Sequence, residues 1–449
     1  AFVDGDRPDF GDGGSYSPAV AIAGTSQPGR MTFSNTTAKP LTLGGTGILS
    51  GPFELLKTGN GTVTLSPFQQ SSSATTVAAS TVVTLASTTG LTAGLTVTGT
   101  GIAAGTTIAS IDSATALTLA APATASGTNT LTFGASHSFF GGSTLNAGTV
   151  VFSNSTANTS GLGAGPITFN GGTLTMWDNQ NTFHTAPWNI VVPVGSYGKL
   201  NACSRIDLTG SLSGGGTFEF YVPWIRTTAM GNWSGFNGLV NIRTDASGGD
   251  WRVANNAGCP QAAVNLGPLV TVYSTLSGNQ SIPIGELSGP STAVLTGAGT
   301  AVTRWIVGSR NSEATYSGSI TNGASPAVTE IEKKGDGIWT LAGSCSHTGQ
   351  TIVSGGTLRI TGTSSASPFT VQPDAALAGT GTITGSVTFQ SGSIFETSAT
   401  PLAIAGNLTL PGELTIRSSA DPGPGTHVIA TCSGTVTGAP VITLDGPFN

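Results

Sequence analysis

From Met31 onward, apolar and polar residues alternate in short runs punctuated by glycine. Met31-Thr-Phe-Ser-Asn35 and Leu41-Thr-Leu-Gly-Gly45 set the pattern, and runs of about 4 to 6 residues repeat it along the chain. Alternation with period two predicts strands with one face in a core, and the glycines supply tight corners between them. Two phrases recur far apart. Lys57-Thr-Gly-Asn-Gly-Thr-Val-Thr-Leu65 is matched by Lys333-Lys-Gly-Asp-Gly-Ile-Trp-Thr-Leu341. Each leads to a second shared phrase, Gly142-Ser-Thr-Leu-Asn-Ala-Gly148-Thr-Val-Val-Phe152 and Gly349-Gln-Thr-Ile-Val-Ser-Gly-Gly356-Thr-Leu-Arg-Ile360. A short repeat of this kind cannot bury its own apolar face and must stack on copies of itself. The expected fold is all-β, a right-handed parallel β-helix with rungs of about 20 to 25 residues. Val63, Leu65, Trp339, Leu341 and Leu358 are expected to point inward.

The first repeat is interrupted. After Leu65-Ser-Pro67 its continuation resumes only near Ser136, and residues 72–134 contain a single charged residue, Asp112. That stretch resembles small β-modules of bacterial surface and phage proteins. It is expected to be an inserted β-domain looped out from one corner, which costs little when its ends stay close. The expected organisation is an N-terminal arm or cap (1–30), a first β-helical part (31–71), the insert (72–134) and a main β-helical part (135–449).

The repeated phrases resemble the autotransporter-associated β-helix repeat of bacterial passenger proteins, in which Lys-x-Gly-x-Gly-x-x-x-Leu leads to Gly-x-Thr and then Gly-Thr-Leu. Residues 55–66 with 139–152, 161–174 and 330–360 carry the resemblance. One spacing departs from it, since Thr144 precedes Gly148 by four residues and Thr351 precedes Gly356 by five. The resemblance implies a secreted or cell-surface protein with a structural or adhesive role.

Composition narrows the picture. Among 449 residues only 8% are charged and 66 are glycine, which disfavours helices with their Lys- and Glu-rich outer faces. The net charge is −6, and no Lys or Arg occurs from Thr58 through Gly198, so nucleic-acid binding is not expected. No apolar run approaches the roughly 20 residues of a membrane-spanning helix. The sequence opens at Ala1 without a basic and apolar leader, and the expectation is that a secretion signal has been removed.

Candidates for chemistry are scattered. Trp224, Trp233 and Trp251 accompany Arg226, Arg243, Asp245, Asp250 and Arg252, either as a glycan-stacking groove or, the preferred reading, as aromatic filling of a widened core. Asp4, Asp6, Asp9 and Asp12 offer oxygen ligands for Ca²⁺ or form a solvated acidic arm. No other cofactor is expected. His137, His184, His347 and His427 lie too far apart to suggest a metal site, and His137 and His347 occupy similar points before the Gly-x-Thr phrase. Cys203, Cys259, Cys345 and Cys432 form either two disulfides or buried thiols. Strand-like sequence from Val441 to Phe448 suggests an open edge. Phe2, Val3, Phe10 and Tyr16 with Val441, Ile442, Leu444 and Phe448 are the expected head-to-tail assembly surfaces. The leading expectation is a non-enzymatic, self-assembling extracellular subunit, with a glycan-binding adhesin and a carbohydrate-active lyase or hydrolase as alternatives.

Overall fold

The computed structural model describes residues 3–13, 19–153, 162–177, 183–202, 205–223, 226–299, 301–324, 326–364, 366–398, 400–419, 421, 423 and 425–447. These residues form a parallel β-solenoid, and their regular elements are strands. The chain divides into two compact units, Ala1–Arg205 and Ile206–Asn449.

In the first unit, one face stacks Asp9–Phe10, Met31–Phe33, Leu55–Lys57, Ser143–Leu145, Ile167–Phe169 and Ile190–Val192 in parallel. A second face stacks Ala19–Ala21, Leu41–Gly45, Thr62–Pro67, Thr149–Ser153, Thr173–Trp177 and Tyr197–Ala202. Strands Asp9–Phe10, Ala19–Ala21 and Thr25–Ser26 already belong to the solenoid. Thr25–Ser26 pairs with Ile48–Leu49, and Phe10 stacks on Phe33 with ring centroids 5.1 Å apart. The described strands of the stretch expected as an arm or cap therefore pair with the turn after it.

The insert is antiparallel where its host is parallel. Gln69–Thr76 pairs along its whole length with Gly127–Gly134, from Gln69↔Gly134 to Thr76↔Gly127. The six strands follow one another across a sheet whose edges are joined by the Thr96↔Thr107 bridge, so the sheet closes on itself. It has its own core, including Val83, Leu95, Val97, Leu117, Leu131 and Phe133. At its base the amide of Ala135 donates to the carbonyl of Phe68 at 2.9 Å, and the returning chain rejoins the solenoid with Ser138 N–H bonded to Leu49 O at 2.8 Å.

The second unit is a stack throughout. From Val302 each turn has three strands, exemplified by Val328–Lys333, Ile338–Leu341 and Ser344–Cys345. Equivalent residues recur after intervals ranging from 18 residues (Thr351↔Phe369) to 28 (Leu408↔Val436), a wider spread than the sequence suggested. The extra length sits in the corners, where it does not disturb strand register. Inward residues form continuous columns. Trp339, Leu358, Leu377, Phe395 and Ile416 are each aligned with the next and all buried, as are Trp305, Ile331, Thr351, Phe369 and Val387. The one-residue difference between Thr144–Gly148 and Thr351–Gly356 is absorbed locally, because Gly148 (φ 68°) and Gly356 (φ 56°) both turn the chain in the left-handed region.

A chain in which residues 69–134 are replaced by two glycines should stay soluble and keep the β-sheet circular dichroism of the solenoid, since the ends at Phe68 and Ala135 already touch. Recovery of only unfolded or insoluble protein would show that the solenoid needs the insert to fold.

Candidate functional site

Trp233 and Trp251 lie inside the solenoid. They are 3% and 1% exposed and stack on each other at 6.0 Å, and Trp233 also stacks on Phe220 at 5.3 Å. They also line an apolar pocket with Val253, Cys259, Ile282 and Ile284. They are core aromatics rather than surface platforms: strand Gly249–Val253 alternates and turns Trp251 inward, and Trp233, which lies between strands, packs between it and Phe220 of the inward-alternating strand Thr217–Tyr221. Trp224 lies outside the described residues. The charged groups nearby are engaged outside that core. Arg243 donates to the carbonyls of Ile242 and Asn265, and Arg252 pairs with Asp250 at 3.0 Å while lying over the Tyr273 ring. Asp245 accepts from the amide of Ser247. Elsewhere Arg304–Glu330 (2.7 Å) and Arg359–Glu396 (2.9 Å) tie strands of different turns together.

The four N-terminal carboxylates go to four different places. Asp4 accepts from Gln27 N–H, Asp6 from Val3 N–H, and Asp9 from the Ser34 hydroxyl. Asp12 accepts from the amide and hydroxyl of Thr36, and these bonds hold its carboxyl below the usual range. Three of the four thus fasten the first turn to the chain beyond it. Among the described residues no group of three or more His, Cys, Asp or Glu is arranged to hold a metal ion. Cys259, Cys345 and Cys432 are unbridged thiols, and burial pushes those of Cys259 and Cys345 up to about 12. Cys203 lies outside the described residues.

The last described turn is built from Ala430–Cys432, Val436–Thr437 and Val441–Asp445. Val441–Asp445 pairs in parallel with Glu413–Arg417 and, among the described residues, with no other strand. Two inward columns run out into solvent here. The column through Phe395 and Ile416 ends on Leu444, which is 57% exposed, and the column through Val387 and Leu408 ends on Val436, at 51%. Val441, Ile442 and Val428 are exposed beside them. Val441, Ile442 and Leu444 were legible in the sequence as a strand. Val436 and Val428 were not, although Val436 carries the same alternation. Phe448 lies outside the described residues, as do Phe2 and Tyr16. Val3 is exposed, whereas Phe10 is engaged with Phe33 of its own chain.

The passenger-associated-transport-repeat model matches residues 124–152 and 331–360. Two segments of the chain are similar to this passenger repeat. Its two matched segments carry the Gly142–Phe152 and Gly349–Ile360 phrases. No curated protein sequence matches the chain. Among solved structures, the tailspike of Acinetobacter baumannii bacteriophage AP22, in complex with a capsular saccharide, aligns over 89% of this chain and 71% of its own. Its identity is 10% and the TM-score 0.21. The tailspike of Pseudomonas phage LKA1 aligns over 98% and 72%, with 11% identity and a TM-score of 0.16. Similarity this low carries no functional argument. Among the described residues no helix is long and apolar enough to cross a membrane.

The passenger-type repeat contains a device that alternation alone did not reveal. Lys57 and Lys333 occupy inward positions, Lys57 between Phe33 and Leu145 and Lys333 between Val307 and Val353. Both are buried. The Lys333 ammonium donates to the carbonyls of Lys334, Gly335 and Gly355 at 2.8–3.0 Å, and that of Lys57 donates to Gly59. The glycine corner turns its carbonyls away from any ladder, and the lysine supplies the missing donors; each acceptor buried without one would cost about 1–3 kcal/mol. Desolvation lowers both amines to about 8.

His137 and His347 are buried corner residues as well. The Leu49 amide donates to His137 Nδ1 at 3.2 Å, and His347 Nε2 lies 3.0 Å from Thr351 Oγ1. Burial holds both imidazoles down to about 4, against an ordinary 6.5. Between those values the unfolded chain binds more protons than the folded one, so stability is present above about 6.5 and falls as the pH drops toward 4. Denaturant midpoints measured from pH 7 to pH 4 should fall, and the His137→Gln, His347→Gln double variant should flatten the slope by an amount on the order of 1–3 kcal/mol per site. An unchanged slope in that variant would show that these histidines are not what acid titrates.

Proposed function

We propose that this protein is a non-catalytic structural component of a bacterial surface or extracellular matrix. The observation that carries this reading is the interior of the solenoid, where Trp233 and Trp251 are core aromatics, 3% and 1% exposed, and not surface platforms for a ligand. The passenger-type repeat supports export to the cell surface or beyond. The engagement of the mid-chain carboxylates Asp250, Glu330 and Glu396 with arginines supports a structural over a catalytic role.

Pectin, alginate and hyaluronan incubated with the purified protein should keep their starting size in size exclusion coupled to light scattering. Cleavage of any of them that disappears on Asp245→Ala or Asp250→Ala would contradict the reading.

A further inference from the structure

We propose that His347, Thr351 and Ser367 form an acid-sensitive latch, a single file of hydrogen bonds that fastens one corner of the second unit to the corner of the next turn and opens when the imidazole takes up a proton. His347 Nε2 lies 3.0 Å from Thr351 Oγ1, Thr351 Oγ1 lies 2.7 Å from Ser367 Oγ, and Ser367 donates to the carbonyl of Gly349 at 2.8 Å. All three side chains are fully buried. The last bond fixes the direction of the others. A carbonyl can only accept, so the one proton of Ser367 is committed to Gly349, and Ser367 must accept from Thr351. Thr351 in turn must accept from His347. The imidazole is therefore the neutral form with its proton on Nε2. Nδ1 is left as a bare acceptor, buried and without a partner among the described residues.

The latched corner is held in a conformation it would not keep alone. Ala366, next to Ser367, has a φ of 66°, in the left-handed region that a residue with a Cβ occupies only when its surroundings impose it. Beside the latch, the Thr351 amide donates to the carbonyl of Pro368 at 2.9 Å. A second proton can enter His347 only at Nδ1, where it adds a charge and an unmatched donor to a buried site. Among the described residues no charged group offsets it. Glu330 and Glu332 of the adjacent strand Val328–Lys333 turn outward to Arg304 and Ser354, and Lys333 ends on its glycine corner. Cys345 and Tyr316 are kept neutral by burial. Strands Ser319–Thr321, Thr363–Ser364 and Phe369–Val371 carry no titratable side chain. Burial alone lowers the imidazole to about 4. Acid therefore acts first on residues 346–351 and 366–368, before the stack as a whole gives way.

Native-state hydrogen exchange of the whole chain at pH 7 and pH 5, corrected for intrinsic rates, tests the latch together with the imidazole ¹⁵N resonances of His347 at pH 7. The resonances should report a proton on Nε2. Opening at the amides of His347 and Thr351 should be about 20-fold more favourable at pH 5 than at pH 7, given an ordinary 6.5 for the open imidazole against about 4 for the latched one. The amides of Val387 and Ile394 should respond much less. Thr351→Val, which keeps the shape and removes the hydroxyl, should open the corner several-fold more readily at pH 7, and His347→Gln should remove the extra response to acid. A proton on Nδ1 in the unaltered chain would overturn the latch, whatever the variants do. So would an acid response equal along the whole unit, or a folded Thr351→Val chain that exchanges like its parent.

Discussion

A β-solenoid turn encloses too little to bury its own inward side chains, so every inward residue depends on the one aligned above and below it. In the second unit this dependence can be followed along a single column. Trp339, Leu358, Leu377 and Phe395 are sealed from both sides, Ile416 is slightly less so, and Leu444 is more than half exposed because only one side is covered. The same constraint explains why strand register is kept from turn to turn while turn length varies. A slipped register would turn every inward residue of a strand outward, whereas extra corner residues cost little. It also explains how an entire antiparallel module fits between Phe68 and Ala135, since neither the Thr62–Pro67 strand nor the Ser143–Leu145 strand loses its place in the stack.

The corners answer a second requirement. A parallel stack satisfies its strand backbone from turn to turn, but a glycine corner leaves carbonyls facing inward. Lys57 and Lys333 meet that need with a buried ammonium, at the cost of desolvating it. A chain with so few charged residues thus places two of them in its interior. Many of the remaining charges, Arg304 with Glu330 and Arg359 with Glu396 among them, fasten turns together on the outside.

Much of the fold was legible because the repeat is written in residue types that have one physical use. Alternation located inward Val63, Leu65, Trp339, Leu341 and Leu358, and all five are buried. The weighing of Trp233 and Trp251 toward the core was also legible, from the energetic worth of burying indoles. What was not legible depends on neighbours in space. Nothing in Asp4-Gly-Asp-Arg-Pro-Asp reveals that Gln27, Ser34 and Thr36 stand ready to bond its carboxylates and the neighbouring Asp12. Phe10 reads as an exposed anchor until Phe33 is seen beneath it. A lysine in an alternating strand reads as a surface residue unless the corner carbonyls that receive it are known.

Hydrogen exchange resolved along the second unit measures the dependence of each turn on its neighbours most directly. In dilute solution the amides of Phe369–Val371 and Ala376–Gly379 should be strongly protected, those of Glu413–Arg417 less so, and those of Val436–Thr437 and Val441–Asp445 least. Protection of Val441–Asp445 equal to that of Phe369–Val371 in dilute monomer would contradict a core that opens at its last turn.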